Sequence, residues 1–227
     1  MTYAEPMTED SLRILYRDGG IICCVKEPGI ISESSGMPAL ISRVTGEEEV
    51  YTVHRLDKET GGVMVYALDR AAAAALSEEF SPGGSAEKTY LAVLEGSPEE
   101  KEGVLTDLLF RDRNSGRSYV VDRMRKGVRE ASLSYEILSE KDGMSLVRIA
   151  LHSGRTHQIR VQFSHRKHPV LGDRRYGSTC RCGLALWAAE LSFRHPVTGE
   201  ELRFRCSPPE SFPWDAFRDA ADLSADP

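Results

Sequence analysis

Short apolar runs separated by turn-forming residues recur along this chain, and they constrain its fold more than any other feature. Most runs are rich in β-branched or aromatic residues, which favour strands, and glycine, proline or polar residues separate them. The runs lie at residues 21–25, 50–53, 63–68, 88–94, 145–151, 185–193 and 201–206. We expect further short strands joined by polar turns between residues 103 and 141. Many strands with few helices predict an α+β domain with a large, mainly antiparallel sheet.

Helices are predicted at three places. The strongest prediction covers residues 69–80, where a run of alanines favours a helix, Asp69 can cap the start and a Pro-Gly-Gly sequence follows the end. A short helix is expected around residues 39–44. A third helix should begin after residues 153–157 and end before residue 168, because position 168 precedes a proline and that placement disfavours helical backbone.

The composition is that of an ordinary globular protein. Of the 227 residues, 41% are hydrophobic and 28% are charged, and no apolar run approaches the roughly 20 residues of a membrane helix. The N-terminus has neither the basic region nor the apolar stretch of a secretory signal. We therefore expect a cytoplasmic protein with no membrane partner.

Charge is distributed unevenly along the chain. The net charge of −6 argues against a surface coated with basic residues. Arginine and lysine nevertheless concentrate in residues 111–129 and 155–175, so a local basic surface can exist on an acidic protein. A solvated face is the alternative interpretation of these two stretches.

Cysteine spacing gives little support to a metal site. Cys180 and Cys182 are one residue too close for the usual CxxC metal knuckle, although His165 and His168 lie nearby in the sequence. A zinc site remains an alternative that this spacing disfavours, and we expect no metal.

Residues 53–62 contain the best candidate for catalytic chemistry. Asp57 lies between two predicted strands, two residues after Arg55, and the glycines at 61 and 62 allow a tight turn around it. A carboxylate fixed at a strand end can act in catalysis, whereas the simpler alternative is a solvated hairpin with a surface ion pair. A glycosidase pair formed by Asp57 and Glu59 is disfavoured, because the two lie in one turn rather than opposed.

Several motifs, in order along the chain, resemble those of the RluA-type RNA pseudouridine synthases. Residues 54–62 read His-Arg-Leu-Asp-Lys-Glu-Thr-Gly-Gly and resemble the HRLDxxTSG motif of that family. The K-x-Y strand, the GRTHQIRV motif, the HPxxGDxxYG element and the closing strands are matched at residues 88–90, 154–161, 168–177 and 186–196. Two departures stand out. Gly61 replaces the usual serine, which we expect to change only the stability of the turn, and the usual Val-His-Pro is absent after Gly29.

The resemblance implies a fold and a domain organisation. The implied fold is the pseudouridine synthase fold, a large, mainly antiparallel mixed sheet flanked by helices with a central catalytic cleft. Residues 1–19 would form an N-terminal extension that frays over its first ten residues, and residues 20–208 the catalytic domain. Residues 209–227 would form a C-terminal tail, first Pro-rich, then weakly helical, then disordered. An S4-like RNA-binding domain is not expected, since too few residues precede position 20.

The chemistry implied by the resemblance is the isomerisation of uridine in RNA to pseudouridine. Asp57 is the candidate catalytic carboxylate, and it could stabilise charge at the sugar, add to it covalently or remove the C2′ proton. Arg160 is its candidate partner, because an arginine orients a neighbouring carboxylate and favours its charged form. Tyr90 could stack on the base or move the C5 proton. The reaction involves no redox change, so no metal or organic cofactor is expected.

The partner implied by the resemblance is folded ribosomal or transfer RNA, from which the target base must be flipped out. Arg55 would fill the vacated space or hold the displaced stack. The other RNA-binding candidates are His54, Arg155, His157, Arg166, Lys167, Arg174 and Arg175. A second basic cluster, Arg113, Arg117, Arg125 and Lys126, could also hold phosphates. We expect a monomer. The alternatives are an RNA-binding module on an inactive scaffold, a glycosidase and a structural protein.

Overall fold

The computed structural model describes residues 12–221, and an eleven-stranded β-sheet runs through this part of the chain. Its strands are β1 Ile14–Arg17, β2 Ile21–Lys26, β3 Tyr51–Thr52, β4 Gly61–Ala67, β5 Glu87–Glu95, β6 Glu102–Asp112, β7 Arg117–Val121, β8 Val128–Lys141, β9 Met144–Leu151, β10 Leu186–Arg194 and β11 Glu201–Arg205. The α-helices are α1 Met37–Thr45, α2 Arg70–Glu79, α3 Gln158–His165 and α4 Arg218–Ala221, with 3-10 turns at Arg174–Tyr176 and Trp214–Phe217. None of the helices in this part is long and apolar enough to cross a membrane.

The strand order confirms the predicted mixed, mainly antiparallel sheet. The main path is β1-β2-β4-β10-β5-β9-β8-β6-β7, while β3 pairs with β4 and β11 with β10. Within residues 12–221, only β4 and β10 pair in parallel, through Gly61 beside Trp187 and Gly62 beside Ala188. β10, which is far from both in the sequence, therefore lies between β4 and β5 near the centre of the sheet.

The predictions for the helices and most strands are confirmed. In α2 the Asp69 side chain accepts a hydrogen bond from the Ala72 amide, as expected of an N-cap. In α3 the side chains of Ile159 and Phe163 are buried, because they lie one turn apart on the face toward the sheet.

One prediction about the strands is wrong. β6 and β8 have 11 and 14 residues and are not short, because the two strands pair continuously from Glu102 opposite Glu136 to Phe110 opposite Val128. The tight turn predicted at Asp57 is present, since the Thr60 amide donates to the Asp57 carbonyl at 3.1 Å directly before β4 begins. β3 contributes only two residue pairs with β4, so residues 53–60 form a loop between the two strands. Further hydrogen bonds of that loop go to other segments, as described below.

Most buried apolar residues form one core, and Leu109, Ala131, Val161 and Tyr176 form a second, smaller cluster. Every residue of β4 is buried, and so are the apolar residues of β2. Trp214 and Phe217 belong to the same core, so the chain packs onto the domain as far as residue 221. The proposed boundary at residue 209 stays a prediction. Residues 1–10, which are expected to fray, and the end of the tail at residues 222–227 lie outside the described part.

Gly61 has a larger role than the expected effect on turn stability, and that prediction is wrong. A Cβ atom at position 61 would lie 2.3 Å from the Trp187 ring, and one at Gly62, where φ is +121°, would lie 2.2 Å from the Ala188 carbonyl oxygen. The two glycines therefore permit the close parallel approach of β4 and β10.

A polar cluster outside the cleft ties β1 and β2 to the β10–β11 connection. The Asp18 carboxylate accepts hydrogen bonds from the amides of Gly20 and Ile21, from the Tyr16 hydroxyl and from His195 Nε2 at 2.7–2.9 Å. Amides at positions 197 and 198 donate to His195 Nδ1, which leaves the ring proton on Nε2. Burial opposes ionisation of Asp18, yet these hydrogen bonds outweigh it and lower the pKa of the carboxyl from 3.8 to about 2.

We expect Asp18→Asn to lower the free energy of unfolding by about 1–2 kcal/mol at pH 7, because the variant lacks this ionised acceptor. The folded-state pKa is depressed, so the contribution is complete above about pH 4 and disappears as the pH falls toward 2. Urea denaturation at pH 7, 4 and 2.5 measures it, with Asp122→Asn on the exposed surface as the control. A difference from wild type that persists undiminished at pH 2.5 would contradict this assignment.

Candidate active site

The loop that carries Asp57 is held on both sides of that residue. Before it, the Ser32 hydroxyl donates to the Leu56 carbonyl at 2.9 Å and accepts from the Leu56 amide at 3.0 Å. After it, the Lys58 carbonyl accepts from the Lys26 ammonium at 3.1 Å and from an amide of the loop after β2. Lys26 is fully buried, and its ammonium also donates to two carbonyls of that loop. Burial lowers its pKa to about 8, although nearby carboxylates oppose the shift.

A buried arginine joins the loop to α3. Arg160 Nη1 lies 2.9 Å from Asp57 Oδ2, while Nε and Nη2 of Arg160 contact both oxygens of Asp173 at 2.6 and 2.9 Å. Arg160 is 5% exposed and Asp173 is 2% exposed. Burial disfavours the charge of the guanidinium, but Asp173 and Asp57 outweigh this effect and raise its pKa. The structure thus brings together the predicted pair of Asp57 and Arg160, which are 103 positions apart.

His157 adds a second nitrogen beside Asp57. Its Nε2 lies 3.7 Å from Asp57 Oδ2, and its Nδ1 lies 2.9 Å from the Tyr176 hydroxyl. Because the Ser118 amide donates to the Tyr176 oxygen, Tyr176 can donate its own proton to Nδ1, which leaves a ring proton on Nε2 facing Asp57. Burial and the neighbouring arginines lower the pKa of His157, and Asp57 opposes that shift.

Asp57 and Tyr90 each keep one polar atom free. Both line a central cleft, and within residues 12–221 neither Asp57 Oδ1 nor the Tyr90 hydroxyl has a hydrogen-bond partner. Burial, and secondarily the charge of Asp57, raise the pKa of Tyr90, so its hydroxyl stays protonated. These two atoms are available to a molecule that enters the cleft.

The cleft has the dimensions of a small-molecule site. Its volume is about 610 Å³, within the usual range for ligand pockets. The end of α2 and residues 80–84 form one wall, the segment 151–158 forms another, and Ile159 and Leu186 supply apolar surface. It lies where the loop before β4, strand β5 and the start of β10 meet. Residues of the HRLDxxTSG, K-x-Y and GRTHQIRV motifs therefore line it together.

Four of the predicted RNA-binding residues line the cleft, and His54 is described separately below. Arg55 is exposed at its mouth, 3.7 Å from Glu33. Arg155 donates from Nε to the Glu130 carbonyl at 3.1 Å, and His157 lies deeper. Their contact with RNA stays a prediction.

His54 also lines the cleft, in a position fixed by protein contacts, and its contact with RNA stays a prediction. The Val65 amide donates to its Nε2 at 3.1 Å, and its ring stacks on Phe80 with centroids 4.4 Å apart. Burial, and to a lesser degree the charge of Lys88, lower its pKa to about 3. His54 is therefore neutral and offers no positive charge to a phosphate.

The other basic candidates lie outside the cleft. Arg166 pairs with Asp107 at 2.8 Å, and Arg175 donates to the Ser115 carbonyl at 2.8 Å. Lys167 and Arg174 are exposed. All four can still meet RNA at a distance from the cleft, but this stays a prediction.

The alternative of a zinc site at Cys180 and Cys182 finds no further ligands among residues 12–221. The sulfur atoms of Cys180 and Cys182 are 3.2 Å apart. Within residues 12–221, however, no group of three or more His, Cys, Asp or Glu side chains is placed to hold a metal ion.

Sequence reasoning missed Asp173, Tyr176, Lys26 and Lys88 as site residues. Asp173 and Tyr176 stand inside the HPxxGDxxYG element, and Lys88 opens the K-x-Y strand, so the motifs contained their signal. Lys26 follows an apolar run, and nothing in the sequence indicates that its ammonium is buried.

The molecule is thus an α+β protein with a central cleft that is lined by paired charges and a free phenol. The family model for RNA pseudouridylate synthase matches residues 20–165. A protein of Aquifex aeolicus named as an uncharacterized RNA pseudouridine synthase is 34% identical, covering 88% of this chain and 71% of that protein. The tRNA pseudouridine synthase C of Pectobacterium carotovorum is 30% identical, covering 95% of this chain and 64% of that protein.

Solved structures agree with the sequence comparison. Human RNA pseudouridylate synthase domain containing 4 superposes with a TM-score of 0.72 at 26% identity, covering 87% of this chain and 88% of the human one. The chain therefore belongs to the RNA pseudouridine synthase family, whose members are isomerases.

We expect Asp173→Asn to destabilise the protein and to weaken the hold on Arg160. Breaking a buried charged pair costs about 3–5 kcal/mol, because the guanidinium keeps its charge and loses a bidentate partner. Urea denaturation at pH 7 measures the loss. The control is Glu140→Gln, which removes the exposed partner of Lys101 and should cost less than about 1 kcal/mol. Equal losses in the two variants would show that the Asp173–Arg160 contact contributes little.

Proposed function

We propose that this protein isomerises particular uridines in structured RNA to pseudouridine, with Asp57 as the carboxylate that acts on a flipped-out uridine. The observation that carries the proposal is the free Oδ1 of Asp57 in a cleft of nucleoside size, while Oδ2 is fixed by Arg160. A carboxylate held by one oxygen presents the other in a defined direction.

The reaction breaks the C1′–N1 bond, rotates the uracil and joins its C5 to C1′. Positive charge develops at the sugar as the bond breaks, and a fixed carboxylate stabilises that charge. Asp57 could instead add to C1′ or remove the C2′ proton, and its position is compatible with all three roles. The two walls of the cleft would keep the detached uracil beside the sugar.

Tyr90 would act on the base. Its ring is buried and its hydroxyl is unpaired, so the phenol can face the uracil in the cleft. The final step removes a proton from C5. Because the raised pKa keeps Tyr90 protonated, the phenol takes the C5 proton only by passing its own proton on at the same time. The acceptor that balances the isomerisation is the uracil N1, which lost its bond to C1′.

The depth of the site requires base flipping. The Asp57 side chain is 17% exposed, so a base stacked in a helix cannot place its sugar beside it. Arg55, exposed at the mouth, is positioned to occupy the vacated stack. Transfer RNA and ribosomal RNA are both candidate substrates, and the name of the Pectobacterium relative supports the former.

The decisive experiment maps pseudouridine across total RNA from cells with and without the gene, followed by treatment of the unmodified RNA with the purified protein. Sites that disappear on deletion and return in vitro would establish the activity and the substrate. Release of free uracil would indicate a glycosidase. RNA binding without any modification would indicate a binding module.

We expect Asp57→Asn to abolish pseudouridine formation, with a loss of at least about 1,000-fold, because the amide supplies no negative charge to the sugar. RNA affinity should change less than about threefold. Single-turnover assays and equilibrium binding measure the two quantities. Glu59→Gln, which removes a carboxylate two positions away, is the control and should remain active. Appreciable turnover by Asp57→Asn would refute the assignment.

We expect Tyr90→Phe to slow pseudouridine formation by about 100-fold while leaving folding and RNA affinity nearly unchanged. The hydroxyl has no protein partner, so its removal breaks no hydrogen bond within the described residues. Tyr119→Phe on the exposed surface serves as the control. If catalysis and affinity fell equally, stacking rather than proton transfer would be the role of Tyr90.

A further inference from the structure

Lys88 is a cation of the cleft that lacks a carboxylate partner. It lies on β5 two residues before Tyr90, so both side chains point to the same face of the sheet, and both line the cleft. Within residues 12–221 no carboxylate lies within 4 Å of its ammonium, which lies 5.1 Å from the centroid of the Phe80 ring. Burial lowers its pKa, and no neighbouring acid opposes that shift.

Arg160 and Arg55 differ in this respect, whereas Arg155, which also lines the cleft, donates to the Glu130 carbonyl. Arg160 is held by two carboxylates, and Arg55 lies beside Glu33 at the mouth. A half-buried charge without a counter-ion is unfavourable, and the face of one phenylalanine ring compensates for only part of that cost. The charge of Lys88 also reaches His54, whose pKa it helps to lower. The free protein therefore has an unneutralised positive charge inside its cleft.

We propose that Lys88 binds a phosphate oxygen of the RNA chain next to the flipped-out uridine. This inference rests on the proposed function and adds a binding contact to that same site. An ammonium is a compact point charge with three donors, which suits a phosphate oxygen and requires no planar partner.

The position of Lys88 along β5 favours the phosphate over the reacting base. Alternate residues of a strand are about 7 Å apart. If Tyr90 meets the uracil, the Lys88 end of the strand reaches the sugar–phosphate chain. The other possible ligand, the negative charge of the departing uracil, would require the ammonium to lie beside the base together with Tyr90.

Equilibrium binding to a labelled 12-nucleotide oligouridylate between 50 and 300 mM KCl tests the phosphate contact. Lys88→Met should weaken binding about five- to twentyfold at the lowest salt concentration. It should also reduce the slope of log K against log salt concentration by about 0.7–1, the change expected for one lost phosphate contact. Lys88→Arg should keep most of the affinity and the slope. Lys141→Met, at an exposed strand end outside the cleft, should behave like wild type.

Two further measurements separate a phosphate contact from other roles. Lys88→Met should unfold at the same urea concentration as wild type or a higher one, because it replaces an unpaired charge with an apolar chain; marked destabilisation would mean that Lys88 is structural. With the RNA identified by mapping, kcat/KM should fall more than the single-turnover rate at saturating RNA. An unchanged salt slope together with a reduced saturating rate would overturn the proposal and place Lys88 at the departing base.

Failure of this inference can be told apart from failure of the proposed function. If the wild-type protein modified no RNA, the proposed function would fail, yet the oligouridylate measurement would still show whether Lys88 neutralises a phosphate. If the wild-type protein made pseudouridine and Lys88→Met kept the full salt slope, only the role of Lys88 would be wrong.

Discussion

The bridge from Asp57 through Arg160 to Asp173 is the interaction on which the cleft depends. A single guanidinium uses three of its nitrogens to join a loop before β4, the first turn of α3 and the segment after it. Arg160 and Asp173 are buried and Asp57 is partly exposed, so removing Asp173 leaves the arginine poorly compensated. The same bridge fixes one oxygen of Asp57 and leaves the other available. The contact between Arg160 and Asp57 thus both holds the loop against α3 and orients the candidate catalytic carboxylate.

Most polar groups around that bridge are satisfied by protein atoms; among the described residues, Thr60 Oγ1 and Arg117 Nε are buried without a partner, and three further unpaired groups belong to residues that line the cleft. Lys26 donates to three carbonyls, and His157 lies against Tyr176. Asp57 Oδ1, the Tyr90 hydroxyl and the Lys88 ammonium have no such partners within the described residues. Unpaired polar groups are unfavourable in a folded protein unless water or a ligand meets them. Asp57, Tyr90 and Lys88 line the same cleft, so a molecule that enters it can meet all three groups.

Local patterns predicted the elements well and their extents less well. The alanine run and Asp69 predicted α2, since helix propensity and capping depend on neighbouring residues. The length of β8 was not predictable in this way, because it depends on its pairing with the distant strands β6 and β9. The requirement for Gly61 was hidden for the same reason, since the Trp187 ring that excludes a side chain lies 126 positions away.

The sequence by itself determined the family, the fold class and the identity of Asp57, Tyr90 and Arg160 as candidates, because residue types at fixed spacing in ordered motifs are local properties of the chain. The tertiary structure decided which side chains meet and which stay free. It placed the His54 ring against Phe80, added Asp173 and Lys26 to the framework and left Lys88 without a counter-ion among the described residues. These outcomes depend on burial and on contacts between distant segments, and such contacts exist only after the sheet has brought β4, β10 and β5 together.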